Sequence, residues 1–238
     1  EGIVGKVSNG TSVNYKQGFM QVFKNLNDVN WSVSESRGAE VSILIMGNSG
    51  NTEGEEGDAI ASADRGDRVN LRLPDSQMEY LVVVLTGGSP IDVKEITELA
   101  DAVVMAWYPG QEGGVALANL LFGDANFSGR LPVTFPESTD RLPAFDDYSM
   151  KGRTYKYMTD NILYPFGYGL SYSKVTYSNA AVTKMPTKTT PMTVYVDVTN
   201  NGDIPVDEVV QVYLSTPGAG NTSPIESLIG FKRIKIYP

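Results

Sequence analysis

The residues best equipped for chemistry lie between positions 47 and 58, GNSGNTEGEEGD, where Glu53, Glu55, Glu56 and Asp58 crowd into a glycine-rich stretch. They matter more because the 238-residue chain has no histidine and no cysteine. Ser-His and Cys-His nucleophile pairs, histidine acid/base work, thiolate zinc sites and disulfides are therefore excluded within it. Carboxylates are left as the agents of any reaction. Several readings of the stretch compete. Glycines can cradle a phosphate, but four negative charges would repel it. A calcium loop needs carboxylates at alternate positions and a closing glutamate, and this spacing does not match. A carboxylic acid held among like charges has its pKa raised toward neutrality and can keep a proton for general acid catalysis. The bland alternative is a solvated acidic loop.

The elements that must position this stretch are read from apolar runs. Residues 41–47 (VSILIMG), 81–86 (LVVVLT) and 102–106 (AVVMA) are short, continuous and apolar, as expected of strands buried on both faces. Residues 92–99 carry Val93, Ile96 and Leu99 at helical spacing, and residues 113–122 read as a second helix stopped by Gly123-Asp124. Buried strands separated by helices predict a parallel sheet covered on both sides, a three-layer α/β/α sandwich. Ligands of such sheets bind at the carboxyl ends of the strands. The acidic stretch follows directly on the first of them. One connection is too short: six residues, 75–80, link a helix start to the next buried strand, where a parallel crossover needs ten or more. This spacing predicts an interruption of the chain near Tyr80–Leu81, the alternative being a single-turn helix.

Two further motifs stand out. In 107–136 (WYPGQEGGVALANLLFGDANFSGRLPVTFP), Pro109-Gly110 turns the chain and Gly113-Gly114 permit close approach at a helix start. Glu112 suits a helix cap better than a ligand contact. Trp107 and Tyr108 could stack on a sugar, although strand-end aromatics are more often core. In 152–170 (GRTYKYMTDNILYPFGYGL), aromatic residues without periodicity suit domain-joining ring packing better than a sugar-binding strip. Beyond Pro136 the signal changes. Residues 137–174 read as an aromatic and glycine-rich linker. From Val175 apolar and polar residues alternate, and the Asn-Gly turn at 200–203 between two such strands points to an antiparallel β-sandwich. Its 64 residues, 175–238, are short of the ~100 such a sandwich normally uses, so a truncated second domain is expected.

On these motifs the chain resembles the C-terminal part of the family 3 glycoside hydrolases, exo-acting β-glucosidases and β-xylosidases. The likeness runs through Glu53–Asp58 with Gly66-Asp67-Arg68 and Leu73-Pro74, then 107–136, 152–178 and 206–236. It implies an α/β sandwich domain over 1–136, the linker 137–174 and a partial fibronectin-III-like domain over 175–238. It also implies a retaining mechanism with two carboxylates. The Asp nucleophile would lie on an N-terminal (β/α)8 barrel of the same protein, and the acid/base Glu would come from a loop of the sandwich domain. Glu56, followed by Gly57 and eleven residues ahead of Asp67, fits that role first, Glu55 second and Glu53 third. The implied partners are a β-linked oligosaccharide or glycoside and the barrel. No metal or other cofactor is implied, and the implied location is secreted or periplasmic. Without its barrel the chain is expected to be inactive and weakly ordered over 48–66.

Composition narrows the rest. Apolar residues make up 41% and charged residues 20%, which is ordinary for a globular protein and excludes a disordered or collagen-like chain. No apolar run is long enough to span a bilayer. A net charge of −9 disfavours nonspecific binding to nucleic acid or anionic membrane. The lack of cysteine does not discriminate between compartments. Glycosylation sequons at Asn9, Asn30, Asn126 and Asn221 fit chance occurrence in a chain this rich in asparagine. Glu1 in place of an initiating Met, and a strand just begun at Phe231–Pro238, predict a piece of a longer protein. A noncatalytic module that binds carbohydrate or protein is the rival reading. A nucleotide-binding flavodoxin-like domain is a weaker one, opposed by the acidic stretch.

Overall fold

The computed structural model describes residues 1–16, 39, 41–48, 83–182, 187, 191–218, 220 and 223–238. The three apolar runs form strands β1 (Leu44–Gly47), β2 (Val83–Thr86) and β3 (Val103–Met105), paired in parallel in the order β1-β2-β3. The register sets Leu44 beside Val83, Gly47 beside Thr86 and Val83 beside Val103. β2 is central, and Val83, Val84 and Leu85 are buried on it as the sequence of β-branched and aliphatic residues anticipates. The flanking strands are less enclosed than expected, with Ile45 half-exposed on β1 and β3 only partly buried.

Helix α1 (Lys94–Leu99) follows β2. Ile91, Val93 and Ile96 are buried while Lys94, Glu95 and Glu98 face water, so one side of this segment closes the core. Helix α2 (Gly113–Leu121) follows β3 and begins where Gly113 packs against the Pro109 ring, leaving no room for a Cβ. The Glu112 backbone carbonyl accepts from the Ala116 N–H at 2.9 Å, which places Glu112 at the helix start. Gly123, at φ 80°, terminates the helix in the left-handed conformation. Each buried large apolar side chain of this core, Leu85 and Ile91 among them, contributes about 1.5–3 kcal/mol.

The linker expected over 137–174 contains short regular elements. Strand β4 (Phe135–Pro136) pairs antiparallel with β5 (Ile162–Tyr164), and between them lie a 3-10 turn (Thr139–Arg141) and a single helical turn, α3 (Thr154–Tyr157). The buried Asn161 organises this segment. Its side chain accepts from the Ser138 N–H at 2.9 Å and donates to the Ser138 carbonyl at 2.8 Å, satisfying both groups of one residue.

Beyond it, β6 (Val175–Val182) pairs antiparallel with β7 (Val194–Asn200), and β8 (Val206–Leu214) with β9 (Ser227–Ile236). The Asn-Gly turn therefore does not join partners of one ladder. It carries the chain from the β6-β7 sheet to the β8-β9 sheet. The reason is local: the Asn200 side chain accepts from the Gly202 N–H at 2.9 Å and donates to the Ile204 carbonyl at 2.8 Å, bending the chain into an Asx corner. The segment expected as a strand just begun is the full ten-residue β9.

The chain divides into two compact units. One comprises Glu1–Asn119 and Val133–Pro165, the other Leu120–Pro132 and Phe166–Pro238. The strap 120–132 belongs to the second unit and is stitched to it by polar contacts. Asn126 donates to the Ser173 hydroxyl (3.0 Å) and the Pro205 carbonyl (3.1 Å), and accepts from the Tyr172 N–H (2.9 Å). The Tyr172 hydroxyl donates to the Leu120 carbonyl at 2.7 Å, and its ring meets Phe127 edge-on. Residues 49–58, the Tyr80–Leu81 junction and the order expected over 49–66 lie outside the described residues.

Candidate functional site

In a parallel sheet all strands point their carboxyl ends to one edge, so loops leaving β1, β2 and β3 converge there. β1 ends at Gly47–Asn48, β2 at Thr86–Gly87, and β3 runs on through Ala106 to Trp107. Thr86 is the junction. Its carbonyl accepts from the Asn48 N–H at 3.0 Å, and its hydroxyl donates to the Met46 carbonyl at 3.3 Å. On the other side of β2, the Ala106 N–H donates to the Leu85 carbonyl at 2.8 Å and the Gly87 N–H to the Trp107 carbonyl at 3.3 Å.

The backbone at this edge is unusual in two places. Gly47 has φ 144°, and a Cβ on it would collide with the Thr86 carbonyl oxygen and hydroxyl. Trp107 has φ 56°, a left-handed conformation costly for a bulky residue. Its ring packs edge-on against the buried Phe135, with centroids 6.3 Å apart. Trp107 is half-buried, with its ring resting on a core phenylalanine. Tyr108 is about half-exposed and Glu112 is exposed, both on the loop leading to α2.

The sequence-designated carboxylates Glu56, Glu55 and Glu53 lie outside the described residues, as does Asp58. The described structure brings to the sheet edge the point from which their stretch departs, Asn48. This residue is buried. Sequence reasoning passed over Gly47 and Thr86. The available signal was a glycine closing an apolar run and a threonine followed directly by Gly87-Gly88.

Two other charged groupings belong to the scaffold. In the second unit Arg130 donates to Glu208 Oε2 at 2.7 Å, both side chains being nearly buried, and the other Glu208 oxygen accepts from the Val209 N–H at 3.0 Å. Burial, together with the charge of Glu208 and a hydrogen bond to it, pushes the Tyr177 hydroxyl up to about 12. In the first unit Lys94 donates to Glu137 at 2.6 Å on the surface. That contact raises the Lys94 pKa and lowers that of Glu137. Arg141 bridges Glu137 and Asp160. Among the described residues no group of three or more acidic residues is placed to hold a metal ion. Among the same residues no helix is long and apolar enough to cross a membrane.

Comparison with known proteins agrees with this architecture. The chain is 39% identical over 229 residues to a xylan 1,4-beta-xylosidase of Xylanibacter ruminicola, covering 91% of this chain and 26% of that protein. It is 33% identical over 231 residues to a periplasmic beta-glucosidase of Salmonella typhimurium, covering 87% of this chain and 29% of that one. The crystal structure of a beta-D-glucoside glucohydrolase from Trichoderma reesei matches with a TM-score of 0.73 at 28% identity, over 86% of this chain and 34% of that chain. The chain thus spans between a quarter and about a third of the length of these relatives. A family model described as the glycosyl hydrolase family 3 C-terminal domain matches residues 2–172. On the length of that match and the shared fold, the chain belongs to glycosyl hydrolase family 3, within the C-terminal portion of its members.

Proposed function

We propose that this chain supplies the general acid/base of a retaining, exo-acting β-glycosidase, a β-glucosidase or β-xylosidase. Glu56 is the proton donor, with Glu55 second and Glu53 third in order of fit. The nucleophile is an Asp on an N-terminal (β/α)8 barrel of the same protein. The observation that carries this reading is the departure of the acidic stretch from the carboxyl end of β1, at the edge where parallel sheets place their ligand-binding loops. Membership in a family whose named relatives are glycosidases supports it.

The chemistry divides between two carboxylates. The Asp attacks the anomeric carbon while the glycosidic C–O bond breaks, and the Glu delivers its proton to the departing oxygen. In the second step the same Glu, now a carboxylate, takes a proton from water as that water displaces the sugar from the Asp. The Glu must be protonated before the first step, and crowding among Glu53, Glu55 and Asp58 favours the protonated form. The substrate is a terminal β-linked glucoside or xyloside. The parallel-sheet part is read as a three-layer α/β/α sandwich domain over 1–136. Residues 137–174 serve as a linker, and 175–238 as part of a fibronectin-III-like domain. A secreted or periplasmic location follows from the same kinship.

The test is leaving-group dependence in the intact protein. Glu56→Ala should lower turnover of β-linked disaccharides by 100-fold or more, on the order of a lost general acid. Aryl glycosides of acidic phenols should be spared in the first step, and azide should partly restore turnover. If Glu56→Ala costs less than about tenfold on disaccharides while Glu55→Ala abolishes activity, Glu55 takes the role. The 238 residues alone should release no nitrophenol from aryl β-glucosides or β-xylosides. Robust turnover by them would mean that both carboxylates lie within this chain.

A further inference from the structure

We propose that Gly47 and Thr86 are positioning residues: together they form a clasp that fixes the direction in which the chain leaves β1 and thereby sets the placement of the proton donor. This inference rests on the acid/base reading above and adds to it the residues through which the sheet controls the acidic stretch.

Three observations carry it. First, Thr86 holds the chain on both sides of Gly47, accepting from the Asn48 N–H with its carbonyl and donating to the Met46 carbonyl with its hydroxyl. The carbonyl contact continues the parallel ladder. The hydroxyl contact is additional, and it costs a strand position that valine or isoleucine would fill with better burial. Second, the clasp requires a glycine. At φ 144° the direction a Cβ would take points into the Thr86 carbonyl and hydroxyl. Any L side chain at 47 must therefore push the end of β1 away from β2, and the chain beyond Asn48 would start from a different place. Third, the clasp is anchored in a buried part of the unit. Met46 and Leu85, next to Gly47 and Thr86, are almost fully buried, and β2 is held from its other side by the Ala106 and Gly87 N–H bonds. A site hung on a central strand is placed more accurately than one supported by loops alone. A displacement of about 1 Å at a reacting group can cost as much as 100-fold in rate.

A purely structural role for Thr86 would lower activity on all substrates alike, through the amount of folded protein. A positioning role has a different signature, because only the proton transfer depends on where the donor sits. The experiment compares Thr86→Val, Thr86→Ser and Gly47→Ala in the intact polypeptide that carries this chain, on a β-linked disaccharide and on a dinitrophenyl glycoside. Thr86→Val keeps the shape and removes the hydroxyl. It should lower kcat/KM on the disaccharide by about tenfold, a fraction of the general-acid contribution, and change the dinitrophenyl substrate by less than about threefold. Its alkaline pH limb, which reports the donor losing its proton, should move as well. Thr86→Ser restores the hydroxyl and should return the disaccharide rate to within about twofold of wild type. Gly47→Ala should show the same selectivity with a larger loss; if it does not fold, Thr86→Val and its serine rescue carry the test. Alanine variants of Glu53, Glu55 and Glu56 are assayed alongside. If one of these is leaving-group selective while Thr86→Val is silent, or slows both substrates equally, the clasp is overturned and the acid/base reading stands. If none of the three is selective, the acid/base reading fails and the clasp falls with it.

Discussion

The two compact units use unusual residues in opposite ways. In the unit built on the parallel sheet, three departures from easy geometry lie at the carboxyl edge of the strands: Gly47 at φ 144°, Trp107 at φ 56°, and a threonine hydroxyl spent on a carbonyl of the neighbouring strand, while Met150, Thr154 and Asn161 take positive φ in the segment beyond Pro136. Charged side chains in its described part lie at the surface, as in the Lys94–Glu137–Arg141–Asp160 chain of contacts. In the other unit the unusual feature is buried charge. Glu208 is almost wholly enclosed, and it spends its oxygens on Arg130, on the Val209 N–H and on Tyr177. The difference teaches where chemistry can be sought. A carboxylate whose acceptor positions are already filled by its own fold holds strands and strap together. An edge where backbone strain is retained and loops converge is where a fold tolerates cost for the sake of a site.

The largest effect should come from removing Glu208. Glu208→Ala leaves the Arg130 guanidinium enclosed without its partner and deprives the Val209 N–H and Tyr177 of an acceptor. Stripping one member from a buried ion pair costs about 3–5 kcal/mol, to be read from urea denaturation. The loss should concentrate in hydrogen exchange of the β8-β9 amides and spare those of β1–β3. Replacing both partners with apolar residues, Glu208→Leu with Arg130→Met, should recover much of it. A cost below about 1 kcal/mol for Glu208→Ala would place this pair with ordinary surface contacts and erase the contrast between the units.

How far the sequence reveals these features depends on their range. The runs that became β1, β2 and β3 were legible because burial on both sides leaves a continuous apolar signature, clearest at Val83-Val84-Leu85. The helices 94–99 and 113–121 were legible from spacing and from the stop at Gly123. Register was not: nothing local says that Gly47 faces Thr86, 39 positions away, so the clasp had no signal beyond its residue types. The same holds for Arg130 and Glu208, 78 positions apart. Here a trace existed, since alternation along β8 puts Glu208 on the same side as the buried Val206, and a carboxylate on an inward face demands a partner. The Asn-Gly turn misled about pairing because an Asx corner and a hairpin use the same residues. The candidate donors Glu53, Glu55 and Glu56 are singled out by composition and kinship.

A second, smaller effect sharpens the contrast through pH. Burial and the charge of Glu208 raise the Tyr177 hydroxyl from its ordinary 10.0 to about 12. A raised folded pKa means stability that is fully present below 10.0 and is lost as pH climbs toward 12. In an absorbance titration of tyrosinate, the difference between wild type and Tyr177→Phe should centre near 12. Alkaline unfolding should be less steep in the Phe variant over the same interval, because one of its proton-linked losses is gone. A difference curve centred near 10 would mean that neither burial nor Glu208 raises the Tyr177 hydroxyl, and the cluster would reduce to the Arg130 pair.

The smallest effect belongs to Lys94 and Glu137, the counterpart of the buried pair at the surface of the parallel-sheet unit. Their separation, 2.6 Å, is no longer than that of Arg130 and Glu208, so distance alone would rank them equally. Exposure decides otherwise. Both side chains stand in water, where Coulomb attraction is weak and two long side chains must be ordered to gain it. The hydrogen bond to Lys94 lowers the Glu137 pKa below 4.5, so its stabilisation is present above 4.5 and fades as pH falls through the lowered value. Lys94 is raised above 10.5, so its part is present below 10.5 and fades as pH rises through the raised value. The difference in melting temperature between wild type and Glu137→Gln should therefore form a plateau between those limits and close at both ends. Its height should be about 2 °C or less, and salt at 1 M should shrink it further, since exposed charges are screened within about 3 Å there. If Glu137→Gln instead lowers the melting temperature as much as Glu208→Ala, burial is not what separates the two pairs. The surface network, with Arg141 bound to both Glu137 and Asp160, would then act as a cooperative unit fastening α1 to the 137–160 segment.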